Sequence, residues 1–142
     1  MSGTPEPRTV LAFDYGTRRI GVAVGNTITR TARPLATIDD ASDEARMTAV
    51  GRLVEEWSPG LLVVGLPVHA DGTPHAMTSQ AQRFAQELRR RFGAEVRFAD
   101  ERHSSEVANA ALAGQGRAGR AKRDQVAAQI ILQAWLDDSA HS

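Results

Sequence analysis

A chain of 142 residues, 42% of them apolar, is long enough for one domain with its own core and too apolar for a disordered segment. No cysteine is present, which excludes disulfides, thiolate-bound zinc and a cysteine nucleophile. The 17 basic and 17 acidic side chains cancel, so a nucleic-acid partner would be met by local clusters rather than by an overall positive field. Apolar runs such as residues 10–13 and 61–64 fall far short of the roughly 20 residues that span a bilayer. Residues 1–8 are polar, carry two prolines and lack the apolar stretch of a signal peptide. These features predict a soluble, cytoplasmic protein with no membrane partner: a flexible tail at 1–8, one domain over 9–138 and a short tail at 139–142.

In chain order, residues 9–13 form an apolar run that ends on Asp14 and reads as a buried central strand. A tight turn at Tyr15-Gly16-Thr17 leads into a second strand. There Ile20, Val22 and Val24 alternate with Gly21, Ala23 and Gly25, small residues that would let another element pack closely on one face. Residues 33–38 give a third strand beginning beside Pro34. Asp39, Asp40 or Ser42 can cap a helix whose core face is Met47, Val50, Val54 and Trp57, with Pro59-Gly60 as its stop. Residues 61–64 are a fourth strand. Thr73-Pro74 opens a second helix, Met77, Ala81, Phe84, Leu88 and Phe92 form its stripe, and Gly93 closes it.

Val96 and Phe98 alternate with charges in a fifth strand that runs into Asp100-Glu101-Arg102. Ser104 or Ser105 caps a helix through Leu112. Residues 115–123, basic and glycine-containing, read as a mobile loop, and Asp124 opens a last helix marked by Val126, Ile130, Ala134 and Trp135. Three antiparallel strands followed by crossovers predict an α/β fold with a mixed five-stranded sheet and helices on both faces.

Active sites of such sheets lie beyond the carboxyl ends of the central strands. Asp14 ends the first strand, Asp100 and Glu101 end the fifth, and Asp124 can fold back to the same edge. Two carboxylates 4 Å apart repel by about 4 kcal/mol at an effective dielectric near 20. Protonation, arginine pairing or a hard cation must offset that, and magnesium or manganese suits carboxylate oxygens. Two such ions can orient water for attack on phosphorus without a serine or cysteine nucleophile.

The block Phe13-Asp14-Tyr15-Gly16-Thr17, with Ile20-Gly21-Val22-Ala23-Val24, resembles the opening of the YqgF (RuvX) family. The resemblance continues through Arg30-Thr31-Ala32-Arg33-Pro34-Leu35, Val64-Gly65-Leu66-Pro67, Asp71-Gly72-Thr73, Asp100-Glu101-Arg102 with Ser104-Ser105, and Asp124 with Ala127, Ala128, Ile130, Ile131 and Leu132. It implies an RNase H-like fold related to Holliday-junction resolvases. It further implies a metal-dependent nuclease that matures the 5′ end of pre-16S ribosomal RNA in pre-ribosomal particles. Asp14, Glu101 and Asp124 would be the catalytic acids and the ligands of Mg2+ or Mn2+. His69 stands where asparagine is expected and Ser105 where threonine is common, which bears on substrate preference rather than on the acids.

Plainer readings stand beside these. Asp14 could cap its turn, Asp100 and Glu101 could pair with Arg102, and Asp124 could favour a helix's positive end. Arg18 and Arg19, with Arg30 and Arg33, are either solvated hairpin charges or a phosphate-facing patch. Arg117, Arg120, Lys122 and Arg123 are a linker's charges or a second nucleic-acid contact. Only 5% aromatic residues is poor material for tracking single-stranded bases, which favours structured RNA or branched DNA. Junction resolution would need a homodimer for paired cuts. The Asp-Tyr-Gly-Thr hairpin also resembles the first phosphate motif of sugar kinases and actin-like ATPases, which need a second lobe. A non-catalytic RNA- or ribosome-binding module is the third alternative.

Overall fold

The computed structural model describes residues 8–16, 19–39, 42–66, 78–100 and 116–139, with backbone alone at 100, 116–123, 138 and 139. Five strands form one sheet in the order β3-β2-β1-β4-β5. They are β1 (Thr9–Tyr15), β2 (Ile20–Asn26), β3 (Thr31–Ile38), β4 (Leu61–Leu66) and β5 (Val96–Asp100). β1 pairs antiparallel with β2 and β2 with β3, whereas β4 runs parallel to β1 and β5 parallel to β4. The mixed sheet expected from the order of elements is present.

Strand alternation sorts the core into two layers. Leu11 and Phe13 of β1, with Val22, Leu62 and Val64, meet the helices α1 (Asp43–Trp57) and α2 (Thr78–Phe92) on one face. Val10 and Ala12, with Ala23, Leu61 and Val63, meet α3 (Gly116–Ser139) on the other. β4 is buried over its first five residues, as a central parallel strand covered on both faces should be.

Local signals set most boundaries. Ser42 is the N-cap of α1, accepting from the Ala45 N–H at 3.1 Å, and Asp43 and Glu44 in the first turn suit the positive end of the helix. α1 stops at Trp57 because Ser58 turns left-handed, at φ 43°, and returns its N–H to the Val54 carbonyl, so the stop precedes the expected Pro59-Gly60. Gly93, at φ 59°, ends α2 as expected. β3 begins two residues earlier than Arg33. Pro34 is tolerated inside it because β3 is an edge strand and a bulge near Val22/Ala23 relaxes the pairing there.

The largest correction concerns residues 115–123. Instead of a mobile loop there, a single 24-residue helix starts at Gly116, and Asp124 lies in its ninth position rather than at its opening. Arg117, Ala118, Arg120, Ala121, Lys122 and Arg123 are strong helix formers, and together they outweigh the roughly 1 kcal/mol cost of Gly119 in the interior.

Of the residues expected to mark this helix, Val126, Ile130, Ala134 and Trp135, only Trp135 packs against the core layer, and it is half-buried. The buried face is Ala127, Ala128, Ile131, Leu132 and Leu136, while Ala134 is exposed. Polar hooks reinforce that phase. Gln129 Nε2 donates to the Ala32 carbonyl at 3.1 Å, and Gln133 Oε1 accepts from the Ala32 N–H at 3.0 Å. Gln133 Nε2 also donates to the Arg30 carbonyl at 2.8 Å. Two glutamines one turn apart thus satisfy the edge of β3.

The helix expected over 104–112, the Thr73-Pro74 helix start, and His69, His75 and His103 lie outside the described residues. Among the described residues, no helix is long and apolar enough to cross a membrane.

Candidate active site

Asp14 is the sixth residue of β1, at the carboxyl end of the strand. It continues the alternation of Val10 and Ala12, so it belongs to the face covered by α3, while Phe13 and Tyr15 pack into the opposite layer. Its partner across the hairpin is Gly21. Directly opposed residues of an antiparallel pair project from the same face.

The space above Gly21 is filled by α3. A Cβ built there would overlap the backbone carbonyl of Asp124 and lie 3.0 Å from the Asp124 Cβ. The stripe of small residues in β2 therefore admits the backbone of α3, and at Gly21 it admits Asp124 specifically. Two acidic residues 110 positions apart in sequence are thus brought to one sheet edge, through one strand pair and one close approach.

Asp124 is held there by Arg19, whose Nε donates to Asp124 Oδ2 at 2.5 Å across the β1–β2 turn. Both side chains are largely shielded, at 27% and 18% exposure, so solvent screens the pair only in part. The hydrogen bond to Asp124 raises the Arg19 guanidinium above its ordinary value. Burial opposes this, and the charges of Asp124 and Asp39 add to it. Arg19, expected as a phosphate contact, is here the counter-ion of a candidate catalytic acid.

β5 brings its end to the same edge. Phe13 of β1 lies opposite Val64 of β4, and Val64 lies opposite Phe98 of β5, two residues before Asp100. Glu101, the third expected acid, follows that strand and lies outside the described residues, as does Arg18. Arg117, Arg120, Lys122 and Arg123 fall in the first turns of α3, where the backbone alone is described. Among the described residues, no three histidines, aspartates or glutamates gather as a metal cluster. The two acids that do converge offer hard carboxylate oxygens, a donor set that fits magnesium or manganese.

Sequence reasoning missed two features. Arg19 was legible only as a charge near the turn, since its pairing with Asp124 spans 105 residues. A cleft of about 270 Å3 on the other side of the same edge, between α1 and α2 and floored by Tyr15 and Phe84, had no motif to mark it.

The fold is RNase H-like, and together with the relatives that this chain matches it defines a nuclease, an enzyme that hydrolyses phosphodiester bonds. Among solved structures, the chain is similar to the Thermus thermophilus RuvC in complex with a Holliday junction substrate. The TM-score is 0.56 at 14% identity, covering 94% of this chain and 96% of that one. The Fowlpox virus Holliday junction resolvase gives a TM-score of 0.55 at 10% identity, covering 92% and 98%. At these identities the likeness speaks for the fold.

Family and sequence comparisons go further. The model of the RuvX family, described as Holliday junction resolvase, matches residues 8–138. A protein of Burkholderia multivorans, provisionally named a pre-16S rRNA nuclease, is 52% identical over 141 residues, covering 96% of this chain and 95% of the relative. One of Dechloromonas aromatica with the same provisional name is 53% identical over 136 residues, covering 94% and 93%. The chain belongs to the RuvX family.

Proposed function

We propose that this protein is a cytoplasmic, metal-dependent nuclease that matures the 5′ end of pre-16S ribosomal RNA. The observation that carries this reading is the placement of Asp124 against Gly21, opposite Asp14. Relatives about half identical over nearly their whole length carry the provisional name of pre-16S rRNA nuclease, which supports this choice of substrate.

In this reading Asp14, Asp124 and Glu101 hold Mg2+ or Mn2+, which would neutralise phosphate charge and activate water. The reaction is hydrolysis: a water oxygen bonds to phosphorus, a P–O ester bond breaks, and the leaving oxygen takes a proton. Asp14, fixed in a central strand, gives the site its rigid half. Asp124 supplies the half carried by α3, oriented by Arg19.

Positions 117, 120 and 124 share one stripe of α3 at helical spacing, spanning about 10 Å. Arg117 and Arg120 thus stand two turns and one turn before Asp124, suited to phosphates flanking the cut. Arg18, Lys122 and Arg123 would add to this contact.

The test incubates the protein with a labelled pre-16S transcript and with a four-way DNA junction, each with manganese, with magnesium and with chelator. Metal-dependent shortening of the transcript at its 5′ end, lost in Asp14→Asn protein, is the expected result. Undiminished cleavage by Asp14→Asn would refute the acid assignment. A second reading, resolution of DNA junctions by a homodimer, is favoured by the description of the matching family and by the fold of RuvC. Preference for the junction in the same assay would select it. Binding without cleavage in both proteins would indicate a non-catalytic RNA-binding module.

A further inference from the structure

β1 presents two consecutive residues at its carboxyl end to opposite sides of the sheet. Asp14 belongs to the α3 side, and Tyr15 turns into the α1/α2 side. On that second side lies the cleft of about 270 Å3, just below the roughly 300–1,000 Å3 of pockets for drug-sized ligands.

Its floor is aromatic. The Tyr15 and Phe84 rings lie 4.8 Å apart and tilted by 32°, and the Arg46 guanidinium sits 5.8 Å from the Tyr15 ring centre. Arg46 is only 7% exposed, and it donates to the Gly16 carbonyl at 3.1 Å and to Asp43 at 2.5 Å. The floor is thereby fixed to the β1–β2 turn that also carries Arg19. Gln80 and Arg83 of α2 line the cleft with polar groups.

We propose that this cleft receives one unpaired nucleobase of the substrate strand, from a nucleotide next to the phosphate positioned at Asp14. The proposal rests on the nuclease reading and deepens it. A strand that crosses the carboxyl edge of β1 places its backbone over the acids, and a base turned over the rim meets Tyr15, the residue adjacent to Asp14. Unpaired RNA bases are bound by aromatic faces and arginine planes, with amide groups reading their edges. Tyr15 supplies the aromatic group and Gln80 the amide, while the buried Phe84 and Arg46 pack against the Tyr15 ring and fix its orientation. A chain poor in aromatics cannot track many bases, but one platform beside the scissile position suffices to set where the cut falls. The cleft thus acts on specificity, through the base, while the acids act on the phosphate.

The test uses an RNA oligonucleotide of the pre-16S 5′ region with a single abasic residue walked through its unpaired positions. Binding is measured by fluorescence anisotropy in chelator, so that no cutting intervenes, and cleavage is measured separately with manganese. Removing one base should weaken binding ~5- to ~150-fold at a single position, the range for loss of one base–aromatic stack. The same removal should cost Tyr15→Leu protein nothing further. Gln80→Ala, altered at the cleft wall rather than in the core, should narrow the penalty in the same direction. It keeps the test valid should Tyr15→Leu fail to fold.

An abasic penalty that is absent everywhere, or equal in native, Tyr15→Leu and Gln80→Ala proteins, overturns the subsite. If that occurs while the native protein still cuts, the nuclease reading stands alone. A position-specific penalty abolished by Tyr15→Leu, in a protein that never cuts, upholds the subsite and sinks the nuclease reading.

Discussion

Replacing Gly21 with alanine adds a single methyl group at the point where α3 meets the sheet. That group would overlap the carbonyl of Asp124, a backbone atom with no rotamer to escape into, so the helix itself must retreat. A displacement of about 1 Å is the scale at which misplaced catalytic groups lose on the order of 100-fold in rate. Overpacking of this kind costs about 1–3 kcal/mol in stability.

Gly25→Ala provides the comparison on the same strand and the same face. There the added carbon would sit 3.0 Å from a methyl group of Leu132, a side-chain end that can give way, and 2.8 Å from the Thr31 carbonyl, where the backbone of the edge strand β3 must shift instead of the helix that carries Asp124. Gly25 pairs with Val10, at the far end of β1 from Asp14. Gly25→Ala should therefore lower stability while leaving the rate per folded molecule near native. Gly21→Ala should lower both. Urea unfolding followed by circular dichroism, paired with single-turnover cleavage of the RNA substrate well below the midpoint, separates the two effects. Native single-turnover rates in Gly21→Ala protein would refute the claim that this approach positions Asp124, as would equal rate losses in both variants.

Removing the Arg19 partner should act on metal binding. Arg19→Gln frees the Asp124 carboxylate from its guanidinium, so Mn2+ should bind at lower concentration in calorimetry, and unchanged affinity would contradict competition between the two cations. On acidification, Glu87 is the group to follow: its hydrogen bonds to Arg90 and Arg91 depress its carboxyl to about 2 from 4.5. A depressed carboxyl contributes stability that is present above about 4.5 and lost as the pH falls toward 2. Arg91 also bonds Glu44, which ties α2 to α1, so Glu87→Gln should flatten the acid limb of a stability–pH profile between those values. Gln133→Ala should cost about 1 kcal/mol in urea unfolding by leaving the Ala32 N–H without its acceptor.

The strands and the first two helices were legible because short-range chemistry decides them. Alternation and apolar runs mark β1, β2 and β4, Ser42 caps α1, and Gly93 ends α2. α3 was misread where two such signals compete, since Gly116 and Gly119 punctuate a stretch whose other residues favour helix. Its buried face was misphased because the choice between the Val126–Ile130 and Ala128–Ile131–Leu132 stripes depends on what the helix packs against. The small residues of β2 favour the alanine-bearing side. Asp14 could be picked out by its place at a strand end, whereas Asp124 needed a family pattern, because nothing local distinguishes it from any helical aspartate. The pairing with Arg19 and the Tyr15–Phe84 cleft needed the tertiary fold, since each joins residues at least 69 positions apart.

Arg19 also bears on how such a site can exist before any cation arrives. Carboxylates gathered at a sheet edge repel one another by several kcal/mol when partly shielded, a sizeable share of the 5–15 kcal/mol that holds a typical domain together. A guanidinium does not deprotonate in the working range, and here its hydrogen bond to Asp124 raises it further, so it offsets that repulsion at every pH at which the protein is folded. The same positive charge opposes a metal ion at Asp124. The Arg19–Asp124 pair therefore stabilises the metal-free fold at a cost in metal affinity. The expected behaviour of Arg19→Gln is a less stable free protein that gains more from added Mn2+ than the native chain does, read as a larger metal-induced rise in Tm. An equal rise in both proteins would show that the arginine shapes the fold without bearing on the cation.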